Sequence, residues 1–338
     1  MASVTYSKGS YASHGGNPFP VEKHFRAMGT EVFVSIIADD ALSAQQEIAH
    51  LERAVAVFEK NFSRFLPESE LTKLNRSDGK SFRASADMVR ILIEGKRWHE
   101  ETGGIFDPTI MSALETLGYG KSIDFTRGPA IDNAAADIAA HQTLFSTRRR
   151  FSELMIDERE NIIHAPGGLR IDLGGIGKGY IVDAVASHAS KTFKDFWISA
   201  GGDISLSGTS FGTPWEVKVQ DPLSLKDDIG HITLSCGELA AVATSGITKR
   251  RGTKGDLAWH HLIDPSTGLP SKNDIIAVTV LAPTTTAADI LAKAVLIAGK
   301  EKGMEFISHY EDTGCIIIDT KGVIMVSDHM KKYFTPYA

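Results

Sequence analysis

The spacing of apolar residues predicts both strands and helices in the first hundred residues. Apolar and polar residues alternate in EVFVSIIA, Glu31 to Ala38, as they do in a half-buried strand. Residues 40–62 instead carry apolar side chains at intervals of three and four, which predicts an amphipathic helix. A second helix is predicted to begin at the N-cap residue Ser85 and to end at Gly103.

Short strands dominate the second half of the chain. The predicted strand segments are FSELMID, NIIHAP, LRIDL, DFWIS, DISLSG, WEVKVQ, HITLSC, IIAVTVLA, GCIIIDT and GVIMVS, of which the first two form a hairpin. Residues 286–299, TAADILAKAVLIAG, are predicted to be helical with Thr286 as the N-cap. Because helices and strands do not alternate strictly, the pattern predicts the α+β class rather than a doubly wound sheet.

Composition bounds the protein's location and partners. Residues 1–22, rich in Ser, Gly, Tyr and Pro, predict a flexible leader, and residues 23–338 a folded domain. The chain has no export signal and no apolar run near the roughly 20 residues of a membrane span, so we expect a cytoplasmic protein without membrane insertion. The net charge of −6, without long blocks of either sign, argues against nucleic-acid binding, and the basic run 249–251 is predicted to be a solvated loop.

The glycine-rich stretch IDLGGIGKGYIVDAVASHA, residues 171–189, is a candidate for chemistry. It joins a predicted strand to a predicted helix, and glycines at such a junction let an anion approach backbone N–H groups. The spacing is not that of a P-loop, because Gly179 follows Lys178. It is not the dinucleotide fingerprint either, because Val182 stands where a third glycine or an alanine is needed. A phosphate site and a plain tight turn both stay open.

Four further stretches combine glycine with polar side chains at the ends of segments, where sites are usually built. They are RAMGTEVFV, TGGIFDPTI, ISAGGDISLSG and HHLIDPSTGLP. Each alone is compatible with a turn. His260 and His261 have no third ligand at metal spacing, so the pair is weak support for a zinc site.

In this order, the stretches resemble the ApbE-type flavin transferase family over nearly the whole chain after the leader. The matching segments are Met28 to Thr30, Arg64 to Asn75, Thr102 to Thr109, Asp172 to Asp183, Ala200 to Asp203, Ala243 to Gly246 and His261 to Pro270. The resemblance implies a two-lobed α+β fold with mostly antiparallel sheets. It also implies an FAD:protein FMN transferase, which cleaves the FAD pyrophosphate with Mg²⁺, attaches FMN through a phosphoester to a threonine or serine of an acceptor flavoprotein, and releases AMP.

The resemblance further implies roles for individual residues. The metal would lie between the backbone carbonyl of Gly177 and the carboxylate of Asp289, with Lys293 at the position of the family's usual threonine ligand. His261 would be the base for the acceptor hydroxyl, since an imidazole titrates in the right range, or it would only hydrogen-bond the phosphate while the metal activates the hydroxyl. The residues implied to bind FAD are Met28, Phe65, Ile105, Phe106, Asp107, Gly174, Lys178 and Ile276.

Departures from the family pattern leave two other functions open. Ser199 replaces a frequent asparagine, and Ile247 and Thr248 replace a typical Asp-Tyr pair. The alternatives are a metal-dependent FAD pyrophosphatase and a flavin-binding carrier without catalysis. Lys293 follows Asp289 by four residues on the same helix face, so the two form either an exposed ion pair or a site in which the ammonium partly replaces the metal or moves it. The sequence does not identify the acceptor protein.

Overall fold

The computed structural model describes residues 3–5, 18–120, 130–132 and 138–337 of the 338-residue chain. Its helices are α1 (Ala41–Phe62), α2 (Glu70–Asn75), α3 (Ala86–Glu101), α4 (Met111–Thr116), α5 (Ile138–Ser146), α6 (Gly177–Ala189), α7 (Thr285–Ala298) and α8 (Lys300–Ser308). Within these described ranges, no helix combines the length and the apolar character that crossing a membrane requires.

The strands complete a mixed fold. They are β1 (Ser3–Thr5), β2 (Phe19–Ala27), β3 (Thr30–Ala38), β4 (Ser81–Arg83), β5 (Ala130–Asp132), β6 (Met155–Asp157), β7 (Ile162–His164), β8 (Asp195–Ala200), β9 (Asp203–Gly208), β10 (Trp215–Gln220), β11 (Asp228–Leu234), β12 (Cys236–Gly246), β13 (Arg251–Lys254), β14 (Leu257–His260), β15 (Ile263–Asp264), β16 (Leu269–Pro270), β17 (Ile275–Ala282), β18 (Gly314–Asp319), β19 (Ile324–Val326) and β20 (Phe334–Pro336). The predicted α+β class with mostly antiparallel sheets is confirmed.

An eight-stranded sheet, the central sheet, organises the molecule. Its strand order is β19-β18-β17-β12-β9-β8-β3-β2, and every neighbouring pair is antiparallel. Alternate residues of β18 belong to different apolar clusters. Cys315 and Ile317 pack with the helices, whereas Ile316 and Ile318 pack with the second sheet, β1-β10-β11-β20. Because both faces are covered, inner strands such as β17 are buried along their whole length and read as continuous apolar runs.

Local capping signals fix where the helices begin. Ser85 is the N-cap of α3, as predicted, and its side chain accepts a hydrogen bond from the N–H of Met88. The prediction of Thr286 as the N-cap of α7 was wrong, because the helix begins at residue 285 and the capping side chain is Thr284. The hydroxyl of Thr286 instead donates to Asp183 at 2.6 Å, which ties the start of α7 to α6.

The predicted strand LRIDL, residues 169–173, does not form. Ile171 is fully buried, but its N–H and carbonyl both pair with the side-chain amide of Asn75, each at 2.8 Å. The backbone then turns into a 3-10 helix over Leu173–Gly175. The apolar pattern therefore predicted the burial of Ile171 correctly. The side chain of Asn75 supplies the hydrogen bonds that a neighbouring strand would have given.

The N-terminal boundary of the folded part lies earlier than the predicted one. The boundary between residues 22 and 23 falls inside β2, which pairs with β3 over its whole length. Residues 3–5 of the predicted leader pair with β10. Residues 6–17 lie outside the described part of the chain.

Gly179 lets α6 and α7 approach each other closely. A Cβ atom at residue 179 would lie 2.7 Å from the Cα of Thr286 and 2.8 Å from the carbonyl oxygen of Thr285. Both neighbours are backbone atoms, so they cannot turn aside as a side chain would. At the same contact, Asp183 of α6 accepts hydrogen bonds from the N–H groups of Thr285 and Thr286 at 2.6 and 2.8 Å. The residue that the sequence offered for anion access therefore serves helix packing.

We expect Gly179→Ala to destabilise the fold by about 1–3 kcal/mol, because a methyl group there forces the two helices apart. Thermal or urea unfolding measures the loss. Gly95→Ala is the matched control, since Gly95 lies inside α3 and a Cβ there would lie at an ordinary 3.5 Å from the ring of Phe151. Equal stabilities of the two variants would contradict the packing role of Gly179.

Candidate active site

A single cavity of about 220 Å³ brings together side chains from distant parts of the chain. Its wall includes residues that follow α1, the segment before α4, the start of α6, the start of β9, the end of β12 and one face of α7. The residues implied by sequence that line it are Phe65, Ile105, Phe106, Asp107, Gly174, Lys178, His261, Asp289 and Lys293. The fold therefore collects most of the sequence candidates at one place.

The other candidates lie outside the cavity wall. Met28 lies at the β2–β3 turn with a positive φ of 53° and packs half-buried against the main core. The side chain of Ile276 is buried in the cluster between the two large sheets. Gly177 is the buried first residue of α6, where a Cβ would lie 3.4 Å from the ring of Phe58. Their roles toward FAD or a metal stay predictions.

The glycines of residues 174–179 divide into two groups. Gly174 and Gly175 line the cavity, and a Cβ on Gly175 would lie 3.3 Å from the ring of Phe106. Gly177 and Gly179 serve packing, as described above. Only the first pair fits the interpretation that the glycines give a ligand access to the backbone.

Asp289 is the centre of a buried charge cluster. Its side chain is only 2% exposed and forms ion pairs with Lys293, one helical turn along α7, and with Lys178 at 3.7 Å. Lys178 also pairs with Asp203 at the start of β9. The alternative of an exposed Asp289–Lys293 pair is therefore wrong, because the helix face that carries it points into the cavity.

Burial and charge act against each other in this cluster. Burial raises the pKa of Asp289, but the ammonium groups of Lys178 and Lys293 outweigh it and hold the pKa below its ordinary value. Burial lowers the pKa of Lys178 to about 8 although Asp289 opposes the shift, and it lowers the pKa of Lys293 in the same way. The Oδ2 atom of Asp289 is buried and accepts no hydrogen bond from the described residues, so the ion pair with Lys178 is its polar contact there.

The geometry of His261 suits a proton acceptor. Its Nδ1 lies 3.3 Å from the carbonyl oxygen of Arg250, which can only accept, so Nδ1 carries the proton and Nε2 keeps its lone pair. Burial, followed by the positive charges of Arg250 and Lys293, lowers the pKa of His261 well below its ordinary value. The imidazole is therefore neutral at pH 7.

Arg250 is a cavity residue that the sequence did not reveal. The basic run 249–251 was predicted to be a solvated loop, but only Arg251 is exposed, whereas Lys249 and Arg250 are half-buried and line the cavity. Lys249 donates to Gln220 at 2.9 Å. No local signal distinguishes these cations from surface ones, because the residues that surround them in the cavity, such as Gln220 and Lys293, are distant in the sequence.

Aromatic rings form the apolar wall of the cavity. Phe65, 37% exposed, and Tyr119 both line it, and their rings meet edge to face with centroids 6.1 Å apart. The guanidinium of Arg64 lies 4.2 Å from the centre of the Phe65 ring and 5.2 Å from that of Tyr119. Arg64 is itself held by Asp172 at 3.1 Å. The arrangement presents ring faces that suit a flat heterocycle.

Asp107 holds the loop that carries Phe106. One carboxylate oxygen accepts from the N–H and hydroxyl of Thr109 at 2.8 and 2.6 Å, and the other accepts from Arg148 at 2.9 Å. Phe106 is both core and cavity wall, so the two interpretations of this ring are compatible. Asp107 acts on the site by fixing this loop.

The described side chains provide no ready cage for a metal. Among residues 3–5, 18–120, 130–132 and 138–337, no group of three or more His, Cys, Asp or Glu side chains converges on one point. In the cavity, Asp203 and Asp289 are separated by the ammonium of Lys178, which pairs with both. The carboxylates of this part of the site are thus already neutralised by lysines.

Comparison with known proteins places the chain in a family. A model described as the ApbE family matches residues 28–317. The FAD:protein FMN transferase of Haemophilus influenzae is 25% identical over 289 residues, which are 83% of this chain and 81% of that protein. The corresponding enzyme of Vibrio cholerae is 26% identical over 283 residues, covering 82% and 81%.

Solved structures agree with this match. The ApbE protein of Thermotoga maritima superposes with a TM-score of 0.80 at 26% identity over 93% of this chain and 99% of its own. The flavin transferase ApbE of Vibrio cholerae gives a TM-score of 0.74 at 23% identity, covering 94% and 99%, and supports the fold alone. The predicted resemblance is confirmed: this chain belongs to the ApbE family.

Proposed function

We propose that this protein is an FAD:protein FMN transferase. It cleaves the pyrophosphate of FAD, joins FMN through a phosphoester to a threonine or serine hydroxyl of an acceptor protein, and releases AMP. The observation that carries the proposal is one cavity in which a neutral imidazole, His261, faces a cluster of cations beside an aromatic wall. Family membership and relatives named FAD:protein FMN transferase support it.

The cations account for binding and for charge neutralisation. A pyrophosphate concentrates negative charge, and Lys178, Lys293 and Arg250 present positive charge around one part of the cavity. Charge-assisted hydrogen bonds from such groups are stronger than neutral ones, and they gain further in a site that excludes water. Phe65 and Tyr119 supply the apolar faces for one of the flat ring systems of FAD.

The transfer step needs a base and a stabilised leaving group. The acceptor oxygen attacks the phosphorus of the FMN half, and its proton passes to Nε2 of His261. The bond between this phosphorus and the bridging oxygen breaks, and the electron pair leaves with AMP. Lys178 and Arg250 neutralise the charge that develops on the leaving phosphate. The hydroxyl proton stays on the imidazole until the products leave.

The family resemblance also implies Mg²⁺, which when bound would neutralise pyrophosphate charge. The described residues do not fit a Mg²⁺ site. Magnesium binds through carboxylates and other oxygens in near-octahedral geometry, whereas Asp289 is bracketed by two ammonium groups. Gly177, the other residue implied as a ligand, does not line the cavity. The steps above therefore pass through the chain's own side chains.

One incubation tests the function against its alternatives. The purified protein is mixed with FAD and candidate acceptor flavoproteins, and covalent in-gel flavin fluorescence is measured together with released AMP. We expect fluorescence that survives denaturation, with AMP released in equal amount. AMP and free FMN without covalent signal would instead show a pyrophosphatase. Tight FAD binding with neither product would show a carrier.

A further inference from the structure

We propose that the Lys293 ammonium takes the place of a divalent cation in this cavity, so that the chain binds the FAD pyrophosphate without a metal ion. The inference rests on the proposed function, because it takes FAD as the ligand of the cavity. The names of the related proteins do not say which positive charge neutralises the pyrophosphate.

The position of the ammonium supports this assignment. Lys293 Nζ contacts Oδ1 of Asp289 and lies 3.1 Å from the backbone carbonyl oxygen of the same residue. These are two oxygens of the kind that would ligate a hard cation, and the ammonium already occupies them. An ammonium has three N–H donors, so one donor is left for a phosphate oxygen in the cavity that Lys293 lines.

The surrounding charges disfavour an added divalent ion. A cation on the remaining oxygen of Asp289 would face Lys178, which lies 3.7 Å from that oxygen, as well as Lys293 on the other. Arg250 adds a third positive charge to the same wall. Coulomb repulsion is proportional to charge, so a divalent ion meets twice the repulsion that a monovalent one does. The pyrophosphate gains from the same cluster without bringing any positive charge.

The side chain at residue 293 therefore decides between two ways of neutralising the substrate. A threonine at residue 293 would be too short to contact the Asp289 carboxylate as Lys293 does, and it would offer a neutral hydroxyl oxygen instead of an ammonium group. It would leave Asp289 free to ligate a metal. Lys293→Thr is thus expected to exchange a built-in cation for a metal requirement.

The test measures metal and FAD binding separately, so it does not depend on turnover. Mn²⁺ binding is followed by electron paramagnetic resonance, with and without FAD, and FAD affinity is measured in EDTA and in Mg²⁺. For the native protein we expect no stoichiometric Mn²⁺ uptake and the same FAD affinity in both buffers. For Lys293→Thr we expect FAD affinity to fall about tenfold or more in EDTA, to recover in Mg²⁺, and to be accompanied by one bound Mn²⁺.

Lys302→Thr is the matched control, because Lys302 is an exposed residue of α8 and does not line the cavity. It should behave as the native protein does. Stoichiometric Mn²⁺ uptake by the native protein, or loss of its FAD affinity in EDTA, overturns the inference while leaving the transferase proposal intact. A native protein that binds no FAD in either buffer overturns both. The measurements on the native chain decide the matter even if Lys293→Thr does not fold.

Discussion

We expect His261→Ala to lower the rate of FMN transfer about 10²–10⁴-fold, the usual cost of losing a general base. The physical reason is the state of the imidazole: Nδ1 is held by the Arg250 carbonyl, and the lowered pKa keeps Nε2 unprotonated at neutral pH. FAD affinity should change little, because Lys178, Lys293 and the aromatic wall remain. Single-turnover transfer to an acceptor, with FAD binding measured separately, distinguishes the two effects.

His260→Ala is the control for this variant. His260 is the adjacent residue and is also half-buried, but it does not line the cavity, and its Nε2 pairs with the carbonyl of Ser271 at 3.2 Å. Folded His260→Ala should transfer FMN at the native rate. A His261→Ala variant that loses FAD binding together with transfer would show that His261 binds the substrate rather than accepting the proton.

We expect Asp289→Ala to reduce FAD cleavage about 10²-fold or more, because the carboxylate no longer holds the ammonium groups of Lys178 and Lys293 beside the pyrophosphate, and to destabilise the fold as well. Removing one partner of a buried ion pair costs about 3–5 kcal/mol, because the other charge is left uncompensated. The lower end, about 3 kcal/mol, applies here, since Lys293 is 16% exposed and part of its charge can reach solvent. AMP release and urea unfolding measure the two effects.

A double variant separates stability from catalysis. Asp289→Ala with Lys293→Met removes both charges, so we expect much of the lost stability to return, since apolar replacement of a buried pair is often neutral. FAD cleavage should stay low, because the cation beside the pyrophosphate is gone. If Asp289→Ala unfolds at the same urea concentration as the native protein, the ion pair contributes nothing to the stability of the fold, and the charge cluster matters to the ligand alone.

The sequence by itself determined the elements whose causes are local. The spacing of apolar residues gave α1 and α3, and the side chain of Ser85 gave the start of α3, because periodicity and capping act within a few residues. The sequence pattern also predicted burial where it did not predict the secondary structure. Ile171 is buried as expected, although it does not lie in a strand. The order of the glycine and polar motifs was enough to identify the family, and nine of the twelve site residues that it implied line the cavity.

Only the tertiary structure decided which charges meet. Lys178, Arg250 and Lys293 come from three separate segments, and no local pattern distinguishes a cation in a cavity from one on the surface. The role of Gly179 is equally non-local, because the atoms that exclude a side chain belong to a helix more than a hundred residues later in the chain. Packing and electrostatics depend on distance in space. Here the close approach of α6 and α7 brings Lys178 of the first helix to Asp289 of the second.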